Sequence, residues 1–304
     1  MILRLFRPVP AGRLFGIPLR VSPAVVLLAL LVLLNAALAG AAAGSGHAPL
    51  VWAFLMLLVL AASLVLHELG HALCARRLGL EVRDITLWPF GGMARMEALA
   101  HRPGLEAPVA VAGPLVNLFL AALLAGLASL VPAAPGLRPG AADFLRQAAI
   151  LNLILGAGNL LPAFPLDGGR ILRAWLARSS PLPDATRAAQ ATAVWLAVAG
   201  LLLAASQGAF LLGLVLFLYI WWTGHLERLQ VILFTGQAPR LPVATVYRRA
   251  LASLRLRRRP RRSAPPGEGP ALEVEAETEI EFHLQELERF HGSLREWFLL
   301  RRRR

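Results

Sequence analysis

The stretch Leu66-His67-Glu68-Leu69-Gly70-His71 ends an apolar run, 50–66, that contains no charged residue. Two histidines four residues apart share one face of a helix, so both imidazoles can bind a single metal ion. The glutamate between them is then placed to accept a proton from a water molecule at that metal. Ionisable side chains at membrane depth are costly and usually functional. The stretch therefore predicts a metal centre inside a membrane-spanning helix.

The apolar run also indicates the depth of this centre. A helix rises about 1.5 Å per residue, so His67 lies about 24 Å along the helix from Val51. The hydrocarbon core of a bilayer is about 30 Å thick, so His67 lies in the half nearer the end of this span. Water must then reach the site through a cavity from that side of the membrane.

The composition of the whole chain is that of a membrane protein. Of its 304 residues, 57% are hydrophobic and 16% are charged, whereas an average soluble domain has about 25% charged residues. Cys74 is the only cysteine, which excludes a disulfide framework within the chain. The net charge is +13, but the arginines cluster between apolar runs. That distribution favours a positive-inside bias over nucleic-acid binding.

Six apolar stretches are candidates to cross a bilayer, for which about 20 residues are needed. We predict an all-α polytopic membrane protein whose six transmembrane helices lie at about 22–44, 50–75, 107–131, 144–165, 188–206 and 209–224. Arginines concentrate before the first span, between the second and third, and between the fourth and fifth. The positive-inside rule then predicts that both termini and these two loops are cytoplasmic.

Segment 79–100, between the second and third spans, has the composition of a small membrane-associated β-hairpin. β-forming residues between Val82 and Phe90 precede Gly91-Gly92, which predicts two short strands joined by a glycine turn. The free edge of such a hairpin could pair with an extended peptide, and a connector resting on the membrane is the alternative. Residues 15–21 also have the pattern of a strand and could extend the sheet.

The composition changes after residue 224, which predicts an intramembrane domain, 1–224, and a cytoplasmic part, 225–304. Residues 239–270 are basic and rich in proline and glycine, which predicts a linker that contacts anionic lipid rather than nucleic acid. Residues 271–300 carry glutamates at alternate positions and then apolar side chains at helical spacing. They predict an extended piece followed by an amphipathic helix, with a partly disordered tail as the alternative.

A catalytic zinc site needs a third protein ligand and an open position for water. The acidic residues between 107 and 224 are Asp143, Asp167 and Asp184. Asp143 falls on the opposite side of the membrane, and Asp184 lies in a segment with the composition of a surface loop. Asp167 follows the fourth span, where prolines and glycines interrupt the helix and let the carboxylate turn inward. We predict Asp167 as the third ligand, with His101 and His225 as alternatives.

These motifs resemble those of the site-2 proteases, which are intramembrane zinc metalloproteases. The resemblance covers about residues 13–224 and rests on His67-Glu68-x-x-His71 with the downstream Asn159-x-x-Pro162 and Asp167-Gly168; Gly91-Gly92 and Ala112-Gly113-Pro114 with Asn117 also match. It is strongest to the branch of the bacterial sporulation-factor-processing protease. The residues after the last span are too few for the pair of CBS modules that many relatives carry, and no insert is long enough for a PDZ domain.

The resemblance implies an intramembrane zinc-dependent endopeptidase with one Zn²⁺ per chain, located in the bacterial inner or plasma membrane. It implies that His67, His71 and Asp167 hold the zinc and that Glu68 is the general base. It further implies that Gly91 and Gly92 belong to an edge that receives an unwound substrate helix. The implied substrate is a single-span or membrane-associated regulatory protein, such as an anti-sigma factor or a pro-transcription factor.

Other site residues and other functions stay open at this point. The resemblance places Asn117 near the substrate backbone or oxyanion, whereas an interhelical hydrogen bond is the structural alternative. It places Asn159, Pro162 and Gly168 in support of the helix break before Asp167. A metal or ion transporter using the same His and Asp residues is the alternative function, although it would not need Glu68 and no inverted repeat is visible. An inactive relative that only binds membrane proteins is a third.

Overall fold

The computed structural model describes residues 7–89, 91–96, 102–131 and 140–258. The chain divides into one compact unit, Met1–Leu254, and a second unit, Arg255–Arg304. The extended piece and amphipathic helix predicted over 271–300 lie outside the described residues.

Two β-hairpins combine into one small sheet. Its four strands are β1 (Val9–Leu14), β2 (Ile17–Val21), β3 (Val82–Trp88) and β4 (Gly91–Met96). The order is β1-β2-β3-β4, with β2 and β3 parallel and the other neighbours antiparallel. The predicted hairpin is confirmed, and the strand predicted before the first span joins it through a parallel pairing.

A buried carboxylate connects three strands of this sheet. Asp84 on β3 accepts two hydrogen bonds from the guanidinium of Arg95 on β4, one of them at 2.7 Å, and lies 3.5 Å from the Arg20 guanidinium on β2. The hydrogen bond from Arg95 is the main cause that holds the pKa of Asp84 below its usual value. The carboxylate therefore stays ionised and keeps the two hairpins together.

The described residues form eight helices: α1 (Pro23–Ala42), α2 (Ala48–Arg77), α3 (Pro103–Leu130), α4 (Ala141–Asn159), α5 (Asp167–Leu176), α6 (Leu182–Ser206), α7 (Phe210–Thr235) and α8 (Val243–Arg258). Five of these helices, α1, α2, α3, α6 and α7, are long and apolar enough to cross a membrane. They expose many large apolar side chains, as helices that face lipid do. The chain is therefore a mostly helical membrane protein.

The predicted span 144–165 corresponds to α4, which is not among these five helices. It begins at Ala141 and ends at Asn159, just before Pro162 and Pro165, each of which lacks the N–H group needed for a helical hydrogen bond. Polar side chains such as Arg146 and Asn152 lower its hydropathy. The six-span arrangement therefore stays a prediction.

The last three helices differ in extent from the predicted segments. α6 begins at Leu182 rather than near 188, and α7 continues to Thr235, past the end of the apolar stretch near 224. α8 occupies the first half of the predicted linker 239–270 and buries Val246 and Ala250 in a core that includes Leu176 of α5. Segment 243–254 is thus a packed helix, and its buried apolar side chains support α5.

Glycine allows α2 and α3 to pack closely beside the His67–His71 motif. A Cβ on Gly70 would lie 2.9 Å from the carbonyl oxygen of Ala112, so the two backbones approach each other only because no side chain is present. This close packing brings the two histidines of α2 against the middle of α3.

Asp184 is buried in the first turn of α6, so its expected position in a surface loop is wrong. Its Oδ1 accepts hydrogen bonds of 2.7 Å from the backbone N–H groups of both Arg240 and Leu241. One buried carboxylate oxygen therefore accepts from two consecutive backbone N–H groups of that segment. Asp184 therefore fastens the segment between α7 and α8 to α6.

We expect Asp184→Ala to lower the stability of the protein by about 1–3 kcal/mol, because two hydrogen bonds to a charged acceptor are lost. The measurement is the midpoint of thermal unfolding in detergent. Glu81→Ala removes an exposed carboxylate and serves as the control, with an expected change within about 0.5 kcal/mol. Equal midpoints for the two variants would contradict the role assigned to Asp184.

Candidate metal centre

Three side chains from two helices converge in the protein interior. Nε2 of His67 lies 3.1 Å from Nε2 of His71, and Oδ2 of Asp167 lies 3.1 Å and 3.2 Å from these two nitrogens. All three residues are buried and together could hold a metal ion. In a tetrahedral zinc site with bonds of about 2.0–2.1 Å, neighbouring donor atoms are about 3.3 Å apart. Both the donor set and its spacing fit zinc.

The other nitrogen of each imidazole has a partner that orients the ring. Nδ1 of His67 donates to Oδ1 of Asn117, and Nδ1 of His71 donates to the carbonyl oxygen of Val109 at 2.7 Å. Both partner atoms are acceptors, so Nδ1 carries the proton and Nε2 keeps its lone pair for the metal. The protein thus fixes both histidines in the tautomer that a metal ligand requires.

A helix break brings Asp167 to the histidines. α4 ends at Asn159, and α5 begins with Asp167 itself. A Cβ on Gly168 would lie 2.2 Å from the carbonyl oxygen of Leu161, so α5 can start this close to the end of α4 only with glycine at that position. Oδ2 of Asp167 lies within 3.2 Å of both Nε2 atoms, so the break brings its carboxylate to the position of a third ligand.

Asn117 lies at the centre of a buried polar network. Its Oδ1 accepts from His67, while its Nδ2 donates to Oδ1 of Asn152 on α4 at 2.9 Å and to the carbonyl oxygen of Ser63 on α2 at 3.4 Å. One side chain on α3 thereby connects α2 and α4 and orients a metal ligand. The predicted contact between Asn117 and substrate stays a prediction.

Glu68 lies against β4. Its Oε2 accepts a hydrogen bond of 2.8 Å from the backbone N–H of Ala94, and a Cβ on Gly92 would lie 2.3 Å from its Cγ. The absence of a side chain at Gly92 therefore makes room for the glutamate. Gly91, with φ of 136°, begins the strand in a backbone conformation that favours glycine.

The remaining predicted residues lie around this centre without joining the ligand set. Asn159 donates to the carbonyl oxygen of Leu155 in its own helix at 2.9 Å, and Pro162 lies in the break between α4 and α5. The ring of His225 stacks on Trp221 within α7 and is not part of the metal group found among the described residues. His101 lies outside the described residues.

Two contributors were not predicted from the sequence. Asn152 supports Asn117, and Gly113 makes space at the metal, because a Cβ there would lie 2.3 Å from Nε2 of His71. An asparagine within an apolar run, such as Asn152 in span 144–165, is the signal that could have pointed to a buried network. Gly113 had no such signal beyond its place in the motif Ala112-Gly113-Pro114.

A buried zinc-type ligand set with a glutamate between its two histidines, among helices of which five are able to cross a membrane, is the arrangement of a membrane-embedded zinc metalloprotease. Residues 55–134 and 125–203 match Peptidase family M50. The chain belongs to this family, which includes the site-2 proteases.

Three similar proteins agree with this assignment. A candidate zinc metalloprotease of Synechocystis sp. is 40% identical over 166 residues, which is 53% of this chain and 42% of that protein. Stage IV sporulation protein FB of Bacillus subtilis is 32% identical over 134 residues, 43% of each chain. The solved structure of the site-2 protease from Methanocaldococcus jannaschii has a TM-score of 0.54 and 29% identity, and the match covers 73% of this chain and 95% of that chain. This chain spans less than half the length of the curated relatives that it matches.

We expect Gly113→Ala to abolish zinc binding, because the new methyl group would lie 2.3 Å from Nε2 of His71 and 2.8 Å from Nε2 of His67. The measurement is the zinc content of the purified protein by elemental analysis. Gly126→Ala, on the same helix but with open space at its Cβ position, is the matched control. A Gly113→Ala protein that retains one zinc per chain would refute the packing described here.

We expect Asn117→Ala to weaken zinc binding about 10–100-fold, as the loss of a group that orients a metal ligand commonly does. The measurement is competition between the protein and a chromophoric chelator. Unchanged zinc affinity with lost activity would instead assign Asn117 to substrate binding alone.

Proposed function

We propose that this protein is an intramembrane zinc-dependent endopeptidase that hydrolyses peptide bonds in or near transmembrane segments of membrane-anchored regulatory proteins. The observation that carries the proposal is the buried convergence of His67, His71 and Asp167 next to Glu68 at one edge of the sheet. The family assignment supports the same chemistry. The metal or ion transporter is not favoured, because transport gives no role to a glutamate that lies against a β-strand.

The residues of the site divide the chemistry among them. His67, His71 and Asp167 would hold the zinc, which when bound acts as a Lewis acid toward water and the peptide carbonyl. Glu68 would accept the proton of the attacking water and then deliver it to the nitrogen of the leaving amine. The hydrogen bond from the Ala94 N–H holds one carboxylate oxygen of Glu68 and leaves the other for this proton transfer.

The sheet edge beside Glu68 suits an extended substrate. Among the described strands, β4 pairs only with β3, and in an antiparallel pair alternate residues direct their backbone groups away from the partner. The Ala94 N–H that reaches Glu68 is one of these groups, so Gly92 and Met96 face the same way. A peptide added at this edge would pass Glu68 with its backbone groups satisfied.

Edge pairing answers the main physical difficulty of cutting inside a membrane. A peptide bond in a helix is shielded by the helix itself, and exposing it frees polar groups that lipid cannot satisfy. Pairing with β4 would replace those hydrogen bonds. In this proposal, Gly91 and Gly92 keep the strand free of side chains where the substrate meets Glu68.

Several finer statements belong to the same proposal. The membrane is the bacterial inner or plasma membrane, with both termini cytoplasmic, as the arginine distribution predicts. The substrate is a single-span or membrane-associated protein, such as an anti-sigma factor or a pro-transcription factor. The catalytic domain is 1–224, and the basic part of 225–304 contacts anionic lipid. Asn159, Pro162 and Gly168 support the turn that brings in Asp167.

We expect Glu68→Gln to abolish cleavage and to leave zinc bound, because the amide cannot accept a proton while the three ligands are unchanged. Cleavage is measured by co-expression with an epitope-tagged single-span reporter that carries a Gly-Pro pair in the cytoplasmic half of its span. Zinc is measured on the same preparations by elemental analysis.

Ligand variants provide the reference for this test. Zinc should be weakened in Asp167→Ala and absent when both His67 and His71 are alanine, and neither protein should cut the reporter. Full cleavage by Glu68→Gln would overturn the proposed general base. Zinc flux into proteoliposomes by Glu68→Gln, at the rate of the unchanged protein, would favour the transporter.

A further inference from the structure

A second buried charged cluster lies on α5, away from the metal ligands. The Arg173 side chain is 3% exposed, and its Nε donates to Oε1 of Glu106 on α3 at 3.1 Å. Its Nη2 also donates to Glu106, and its Nη1 donates to Oε1 of Glu227 on α7 at 2.6 Å. One guanidinium therefore joins three helices.

The same guanidinium touches the segment that delivers Asp167. The Cζ atom of Arg173 lies 5.2 Å from the ring centroid of Phe164, a distance at which a cation is attracted to an aromatic face. Phe164 is fully buried in the break between α4 and α5, three residues before Asp167. Arg173 thus contacts both α3 and α7 from α5 and also contacts the break that precedes α5.

The cluster is specific to arginine. The planar guanidinium directs separate N–H groups at two carboxylates, which the single ammonium of a lysine cannot do with the same geometry. Oε2 of Glu106 is buried and has no hydrogen-bond partner among the described residues, so Glu106 depends on Arg173. A buried carboxylate without its cation is strongly destabilising, and this keeps the guanidinium in place.

We propose that Arg173 is a positioning residue for the metal ligand Asp167, and that Glu106 and Glu227 hold it in that role. The inference rests on the proposed function, because Asp167 matters as a zinc ligand. α5 has only 10 residues and is too short to be stable by itself. Its orientation must come from tertiary contacts, and Arg173 anchors it about 1.7 turns beyond Asp167. Because Glu227 lies on α7, the position of α7 also affects where Arg173 holds Asp167.

The test measures the metal centre rather than cleavage. Full-length protein is purified in detergent, zinc affinity is determined by chelator competition, and Co²⁺ is substituted so that its visible absorption reports the ligand geometry. We expect Arg173→Met to weaken zinc binding about 10–100-fold. We also expect its cobalt spectrum to match that of Asp167→Asn, because the carboxylate no longer reaches the metal.

Two further variants keep the test decisive if Arg173→Met fails to fold. The first is the triple variant Arg173→Met, Glu106→Gln, Glu227→Gln, which removes the buried charges together. The second is Arg173→Lys, which retains the positive charge but lacks the planar guanidinium with its separate N–H groups. We expect both to fold, with weakened zinc binding and altered cobalt spectra. The control is Arg187→Gln, which removes an arginine of α6 that donates to the carbonyl oxygen of Leu241 in the segment between α7 and α8, and it should leave the spectrum unchanged.

The outcomes separate this inference from the proposed function. Folded Arg173→Lys and triple variants with the zinc affinity and cobalt spectrum of the unchanged protein would overturn the positioning role, even if their unfolding temperatures fall. If the protein without any substitution bound neither zinc nor cobalt, that result would instead overturn the proposed function.

Discussion

The structure depends on the need to satisfy every polar group that is placed inside an apolar, membrane-spanning bundle. Two histidines and an aspartate are expensive in such surroundings unless each has a partner. Here each imidazole donates through Nδ1 to an oxygen, from Asn117 or from the Val109 backbone, and directs Nε2 toward Asp167. Asn117 is in turn satisfied by Asn152 and Ser63. The network extends over α2, α3 and α4, so the metal centre and the helix packing stabilise each other.

Small residues make this network possible. Gly70 allows α3 to approach α2, Gly113 leaves space beside the histidine nitrogens, and Gly168 lets α5 begin against the end of α4. Gly92 does the same for Glu68 at the sheet. At each of these positions a methyl group would lie closer than 3.0 Å to backbone atoms, to a histidine of the metal centre or to Glu68. The side chains of the candidate site are therefore positioned by the lack of side chains at these glycines as well as by hydrogen bonds.

The parts of the site that follow local rules could be predicted from the sequence. The spacing of His67 and His71 determines that they share a helix face, and the scarcity of acidic residues in the apolar region leaves Asp167 as the strongest candidate for the third ligand. The hairpin at 79–100 follows from its β-forming residues and glycines. The burial of Asp184 was missed because composition indicated a surface, whereas its partners, the Arg240 and Leu241 N–H groups, are more than 50 residues away. The helix α8 was missed altogether, because arginines and prolines nearby indicated a linker over 239–270.

The sequence by itself determined the candidate ligand residues, the glutamate between the two histidines and the membrane character, because periodicity, residue chemistry and hydropathy act over a few helical turns. Only the tertiary structure decided how these parts are held. The pairing of β2 with β3, the contact of Glu68 with β4 and the anchoring of α5 by Arg173 between Glu106 and Glu227 join residues 26 to 67 positions apart in different elements. Such contacts depend on which surfaces meet in the folded protein, and no local pattern in the chain specifies that.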